Sequence, residues 1–328
     1  MILAGDIGGT KTVLAVIEQN TDGTLRILSE QTYASSEFSS LEEVLDLFLE
    51  NGQRIHAACF GIAGPVIGQR CQTVNLPWTI DAEILQDKLG ARRVKLLNDL
   101  EAMALGMLGL PPEDFVDLNP NAKDIDGNIA VIAAGTGLGE AMLYWDGQRH
   151  HAIGGEGGHT DFAPLTAQQD QLLAYLRQHF PQHVSYERIL SGNGFGMLYD
   201  FLVDSSQGSA CPAVPSPEQA AELGVDRNAV ISRLGVGGEN ETCAAAVELF
   251  VEIYGAEAGN LALKTLATGG LYIGGGIGPK IKDALCDGRF LRAFLLKGRL
   301  QPMLRDIPVK LALNPRAPLI GAMHYFTN

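Results

Sequence analysis

Asn98 and Asp99 stand side by side where an apolar run, Val94–Leu97, stops. In α/β proteins the ends of buried strands face the ligand crevice, so an amide and a carboxylate there are placed for chemistry. Asp99 could accept a proton and Asn98 could hold a hydroxyl. The same residues have a local reading, because Asn98-x-x-Glu101 matches a helix N-cap followed by an N3 acid. The two readings are compatible. A second group lies in Gly154-Gly-Glu-Gly-Gly-His-Thr-Asp161. Four glycines around Glu156 and His159 make a floppy loop that is costly to order, which suits backbone brought close to a ligand. Both side chains could bond hydroxyls. His159 lacks a second His or Cys at metal-ligand spacing, so zinc is not expected there. Glu187 falls in Ser185–Gly192, which reads as the start of a helix, and by spacing alone it complements the helix dipole. His150 and His151 would face opposite ways on a strand and form no metal pair.

Three Gly-rich turns could hold phosphates. Gly5-Asp-Ile-Gly-Gly-Thr-Lys-Thr12 departs from the P-loop pattern at Thr10, and the β-branched run Val13–Ile17 follows it where a P-loop opens a helix. It therefore reads as a hairpin whose glycines let successive N–H groups converge on an anion. Asp6 beside such a site fits Mg²⁺ held through water. Ala134-Gly-Thr-Gly-Leu-Gly139 repeats this chemistry around Thr136, and Gly269–Gly278 supplies a third turn after a strand. Neither completes G-x-G-x-x-G, which disfavours a dinucleotide fold. Three such turns fit a nucleotide held between two lobes.

The elements that must position these residues alternate. Strands are expected at Ile2–Ala4, Val13–Ile17, Leu25–Gln31, His56–Ile62, Val94–Leu97, Ile129–Ala133, Ala141–Trp145, Gly269 onward and Val309–Leu313. Helices are expected at Leu41–Leu49, Ile80–Leu89, Leu100–Leu108, Gln168–His179, Pro217–Leu223, Asn228–Leu234, Thr242–Leu266 and Leu319–Phe326. Asp6–Lys11 and Ala134–Gly139 are taken as turns, and Ser205–Pro217 as a surface loop. The two strand–turn–strand openings resemble copies of one unit. The class is α/β, and 328 residues favour two lobes. A net charge of −14 argues against nucleic-acid partners. Five scattered cysteines show neither a disulfide framework nor a structural zinc motif, and they suit a reducing cytoplasm. No apolar stretch is long enough to span a membrane, and the opening residues lack a secretion signal.

DIGGTKT (Asp6–Thr12), FGIAGPV (Phe60–Val66), LLNDLEA (Leu96–Ala102), GTGLG (Gly135–Gly139), GGEGGHTDFAP (Gly154–Pro164), YERILSG (Tyr186–Gly192) and GGLYIGGGI (Gly269–Ile277) follow one another along the chain. In this order they resemble the bacterial glucokinase family, within the sugar-kinase/actin/Hsp70 superfamily. The resemblance implies a two-lobed actin-like ATPase (ribonuclease H-like) fold with a central interlobe cleft. Residues 1–109 plus 302–328 would form the small lobe and residues 110–301 the large one. It implies ATP-dependent phosphorylation of glucose at its 6-hydroxyl, with another hexose or N-acetylhexosamine as the alternative acceptor and a non-catalytic sugar sensor as a remoter reading. Asn98, Asp99, Glu156, His159 and Glu187 would bind the sugar, with Asp99 as base. Gly5, Asp6, Ile7, Gly8, Gly9, Thr10, Gly135, Thr136 and Gly137 would serve the phosphates of ATP, with Mg²⁺ at Asp6, and Gly274, Gly275 and Gly276 would border the adenosine. Lys11 has no assigned role. Sugar and ATP are the expected partners, with no nucleic acid or membrane, and a homodimer stays open.

Overall fold

The computed structural model describes residues 1–20, 23–49, 53–73 and 75–327. One strand arrangement is used twice. In the first half, β1 (Ile2–Ile7), β2 (Lys11–Gln19), β3 (Leu25–Ala34) and β4 (Ala57–Ile62) come first. A small three-stranded sheet follows, made of β5 (Val66–Ile67), β6 (Arg70–Gln72) and β7 (Thr79–Asp81), and then β8 (Arg93–Asn98). The main sheet has the order β3-β2-β1-β4-β8. Its β1–β2 and β2–β3 pairs are antiparallel, whereas β1–β4 and β4–β8 are parallel.

The second half supplies β9 (Phe115–Asp117), β10 (Ile129–Ala134), β11 (Leu138–Trp145), β12 (His150–Gly155), β13 (Gly270–Gly274) and β14 (Val309–Ala312). Their order is β12-β11-β10-β13-β14-β9. The pairing pattern matches the first sheet strand for strand, with β9 added at one edge. The repeated unit read from the two hairpins thus extends over five strands.

Helices cover the outer faces and fill the middle. Leu41, Val44 and Leu85 pack with Trp78 on one outer face, and the long Glu241–Thr265 helix lies in the core of the six-stranded side. The Asp99–Met107 helix is apolar nearly all round because it lies between the sheets. Ala4, Cys59 and Leu97 of one sheet share a cluster with Ala102, Leu105 and Met107 of this helix and with Val131 and Leu143 of the other. It crosses the Ala317–His324 helix at small residues. A Cβ on Gly106 would lie 1.8 Å from the Ala317 carbonyl oxygen, and one on Gly321 would lie 1.8 Å from that of Ala102. Only glycine lets these backbones meet.

Several expectations move. Asp6 belongs to β1, because the ladder runs on to Ile7↔Thr12 and leaves only residues 8–10 for the turn. The helix expected from Ile80 starts at Ala82, where the Asp81 side chain caps it by accepting from Glu83 N–H. Gly154 and Gly155 are paired with Ala141 and Glu140, so the expected floppy loop begins as a strand end and continues as a 3-10 turn at Gly157–His159. The helix expected from Ser185 is a single 3-10 turn, Tyr186–Arg188, and the α-helix starts at Gly194. At the C-terminal end β14 pairs with β13, and the Ala317–His324 helix that follows packs on β1 and β4. Among the described residues no helix is long and apolar enough to cross a membrane.

Candidate active site

Parallel pairing puts three strand ends level. Ile7 lies opposite Ile62, and Ile62 lies opposite Asn98, so the first glycine hairpin and the Asn98-Asp99 pair open on one edge. Asn98 caps the Asp99–Met107 helix through a capping box. Its Oδ1 accepts from Leu100 N–H at 2.9 Å, while its own N–H donates to Glu101 at 2.9 Å. Its side-chain amide donates to the Gly64 carbonyl at 3.1 Å. Capping therefore fixes the rotamer that a ligand would meet. Asp99 is the first helical residue, and its Oδ1 also accepts from Leu100 N–H at 3.0 Å.

Burial pushes the Asp99 carboxyl up to about 6; the Leu100 N–H opposes this, and the charges of Asp6 and Glu156 add to it. Acids from β1, from the helix start and from the loop after β12 are thus within electrostatic reach of one another. Asp6 is likewise raised, because burial outweighs the nearby Lys11 charge. A half-buried carboxyl left with this excess is the kind of group that a hydrated Mg²⁺ beside a phosphate stabilises. The residues present fit that ion.

The first hairpin is braced from behind. Gly8 N–H donates to Lys11 O at 2.9 Å, Ser35 Oγ donates to Gly8 O at 2.8 Å, and Thr10 is exposed. Gly5 and Ile7 do not share this placement. Gly5 is a ladder residue whose Cβ position is 2.6 Å from the Phe60 ring, and Ile7 is buried in the outer core. Tight packing accounts for Gly5, so the turn itself is Gly8-Gly9-Thr10.

The second hairpin, Gly135-Thr136-Gly137, is tied to Glu187. Leu138 N–H donates to Glu187 Oε2 at 3.0 Å, and a Cβ on Gly137 would come within 2.4 Å of that oxygen. The other carboxylate oxygen of Glu187 lies 3.9 Å from His159 Nδ1. Glu187 therefore connects the hairpin to the Glu156–His159 loop, a link that sequence spacing did not show. The third turn joins the second, since Ile277 N–H donates to Ala134 O at 3.2 Å. Gly274, Gly275 and Gly276 line a mostly apolar cavity of about 360 Å³ together with Met103, Met107 and Asn314. The two methionines, four apart on one helix, and the Asn-Pro turn at Asn314 were the available signals for this wall.

Glu140 also went unread. It is 4 % exposed, its Oε1 has no hydrogen-bond partner among the described residues, and a Cβ on Gly157 would lie 1.9 Å from its Oε2. The acid thus supports the Glu156–His159 loop from below. Burial pushes its carboxyl up to about 7, the facing Glu257 carboxylate adds to this, and Lys264 opposes it. Between its ordinary value of 4.5 and about 7 the unfolded chain releases a proton that the folded chain keeps, so stability is lost as pH rises through that window. Glu140→Gln should therefore melt higher than the parent at pH 8, with little difference at pH 4.5. A difference in melting temperature that did not vary with pH would remove this assignment.

Two Gly-Thr hairpins on a duplicated strand pattern, with a half-buried acid at a central helix start, fit a sugar kinase of the actin-like ATPase fold. The family model described as Glucokinase matches residues 3–328. A protein of Synechocystis sp. called Glucokinase is 42% identical, covering 98% of this chain and 96% of its own. One from Trichormus variabilis is 40% identical over 98% and 97%. A crystal structure of glucokinase from an Antarctic psychrotroph superposes with a TM-score of 0.85 at 32% identity, covering 98% of this chain and 97% of that one. The chain belongs to the glucokinase family.

Proposed function

We propose that this hexose kinase transfers the γ-phosphoryl group of ATP to the 6-hydroxyl of glucose, with Asp99 as the base. The observation that carries the reading is Asp99 itself: a carboxyl at about 6, among acids, at the N-terminus of the helix between the two sheets. A base in that range is ionised at neutral pH yet holds a proton well enough to take one from a hydroxyl.

The oxygen of Asp99 not bonded to Leu100 takes the hydroxyl proton as the sugar oxygen attacks the γ-phosphorus. The bond to the bridging oxygen breaks, and ADP leaves. Asn98, Glu156, His159 and Glu187 hold the ring through its hydroxyls. The Gly9 and Gly137 amides, with the hydroxyls of Thr10 and Thr136, surround the phosphates, while the N–H groups of Gly8 and Gly135 brace their turns by donating to Lys11 O and Gly137 O. Gly274–Gly276 and the Met103–Met107 wall take the adenosine. Mg²⁺, when bound, neutralises phosphate charge, and Asp6 would hold it through water. Residues 1–109 with the C-terminal helix act as the small lobe, closing on the rest over the sugar. A cytoplasmic location and a homodimer accord with this reading.

A coupled assay of glucose, mannose and N-acetylglucosamine, each with ATP, ADP or polyphosphate, tests it. Glucose with ATP should give the highest kcat/KM, by roughly tenfold or more, the size of a discrimination carried by ring hydroxyl contacts. A preference for N-acetylglucosamine would transfer the acceptor to the alternative reading.

A further inference from the structure

Arg93, Lys95 and Arg149 enter no ion pair among the described residues, although the chain carries a net charge of −14. All three line one cavity of about 850 Å³. Arg93 and Lys95 come from β8, the edge of one sheet, and Arg149 comes from the β11–β12 connection at the edge of the other. The Arg93 guanidinium is held over the Phe326 ring at 4.7 Å and the Lys95 ammonium over Tyr325 at 5.8 Å. These contacts position the charges without neutralising them. Two wall groups are already committed: His151 pairs with Asp146 at 2.6 Å, and His150 Nε2 bonds the Gly127 carbonyl at 2.9 Å. The one carboxylate in the wall, Glu101, accepts from Asn98 N–H at 2.9 Å.

This cavity is separate from the nucleotide side of the cleft. Glu101, Leu105 and Leu108 face it, whereas Met103 and Met107 face the cavity at Gly274–Gly276. Residues spaced 101, 105, 108 and 103, 107 lie on different faces of one helix. We propose that the cavity is a second, non-catalytic binding site for a small sugar phosphate. Three cations from two sheets converge there against one carboxylate, Glu101, in no ion pair with any of them, which leaves the excess of positive charge that a phosphate group requires. The volume is that of an organic ligand's pocket, well beyond a lone ion's need. The Trp145 indole and Tyr325 ring add apolar wall with polar tips beside the cations. A nucleic acid or an acidic peptide would meet the repulsion of the remaining surface, which a small ligand inside the cavity avoids.

Calorimetry tests this on the full chain. Glucose and AMPPNP are titrated in first to fill the cleft, so failure of the kinase reading shows before the probe is added. Glucose 6-phosphate should then bind at one further site. The double variant Arg93→Gln/Arg149→Gln should weaken that binding roughly tenfold or more while keeping kcat, both KM values and the melting temperature. Inorganic phosphate should bind more weakly than the sugar phosphate. No binding at millimolar glucose 6-phosphate, or equal binding by the variant, would overturn the site. Equal affinity for inorganic phosphate would reduce it to an ion cluster. A change in sedimentation on substitution, without ligand binding, would make the face a contact between copies of the chain.

Discussion

Asp99→Asn should lose about 10²–10⁴-fold in kcat, the usual range for removing a general base, while glucose still binds with near-parental affinity. The amide keeps the size of the side chain and an oxygen for the Leu100 N–H that Asp99 now holds at 3.0 Å. It cannot take the hydroxyl proton. The same change should stabilise the fold above pH 6. The Asp99 carboxyl is raised from 3.8 to about 6, so the folded state keeps a proton that the unfolded state releases between those values. Stability is lost as pH rises through that window, and the neutral amide escapes the loss. A slower but more stable enzyme is the pattern expected where a half-buried functional acid is held against its solvation preference. If the variant kept most of its kcat, Asp99 would be a helix-start residue and no more.

The second large effect is expected from Gly137→Ala, a single methyl added in the second hairpin. Its Cβ would stand 2.4 Å from Glu187 Oε2, far inside contact distance. Either the hairpin shifts or the carboxylate leaves the Leu138 N–H. Leu138 is 5 % exposed, and its orphaned N–H would cost about 1–3 kcal/mol. Because Glu187 also reaches toward His159, the disturbance spreads from the phosphate hairpin to the sugar loop. KM should therefore rise for ATP and for glucose together, each by roughly tenfold, the equivalent of about 1.4 kcal/mol. A rise confined to ATP would mean that Glu187 does not link the two sites.

The sequence was most legible where local rules and burial agree. The Asn98–Glu101 capping box needs only four consecutive residues, and it stands in the structure beside its proposed chemical role. The twin hairpins were visible because buried strands such as β10 leave long apolar runs on either side of the glycines. β12 was missed because it is an edge strand with half-buried and exposed residues and no alternation. The Gly194–Asp204 helix was missed because it begins Gly-Phe-Gly, poor helix formers whose smallness is needed for packing: a Cβ on Gly194 would lie 1.6 Å from the Ile189 carbonyl oxygen. Glu187 was placed on a helix because its dipole-like spacing was readable and its partner Leu138 was not. Glu140 lay outside any motif, since its burial beneath Gly157 is a contact between distant parts of the fold.

The pH dependence of kcat/KM for glucose, followed from pH 5 to 8 with saturating ATP, tests the central claim most directly. It reports the essential base of the enzyme–ATP form that meets glucose. The value should be flat at neutral pH and fall tenfold per pH unit on the acid side of an apparent pKa near 6, as Asp99 takes up its proton. The acid limb should be absent from the residual activity of Asp99→Asn. A profile level down to pH 5, or an unchanged acid limb in the variant, would contradict Asp99 as the base.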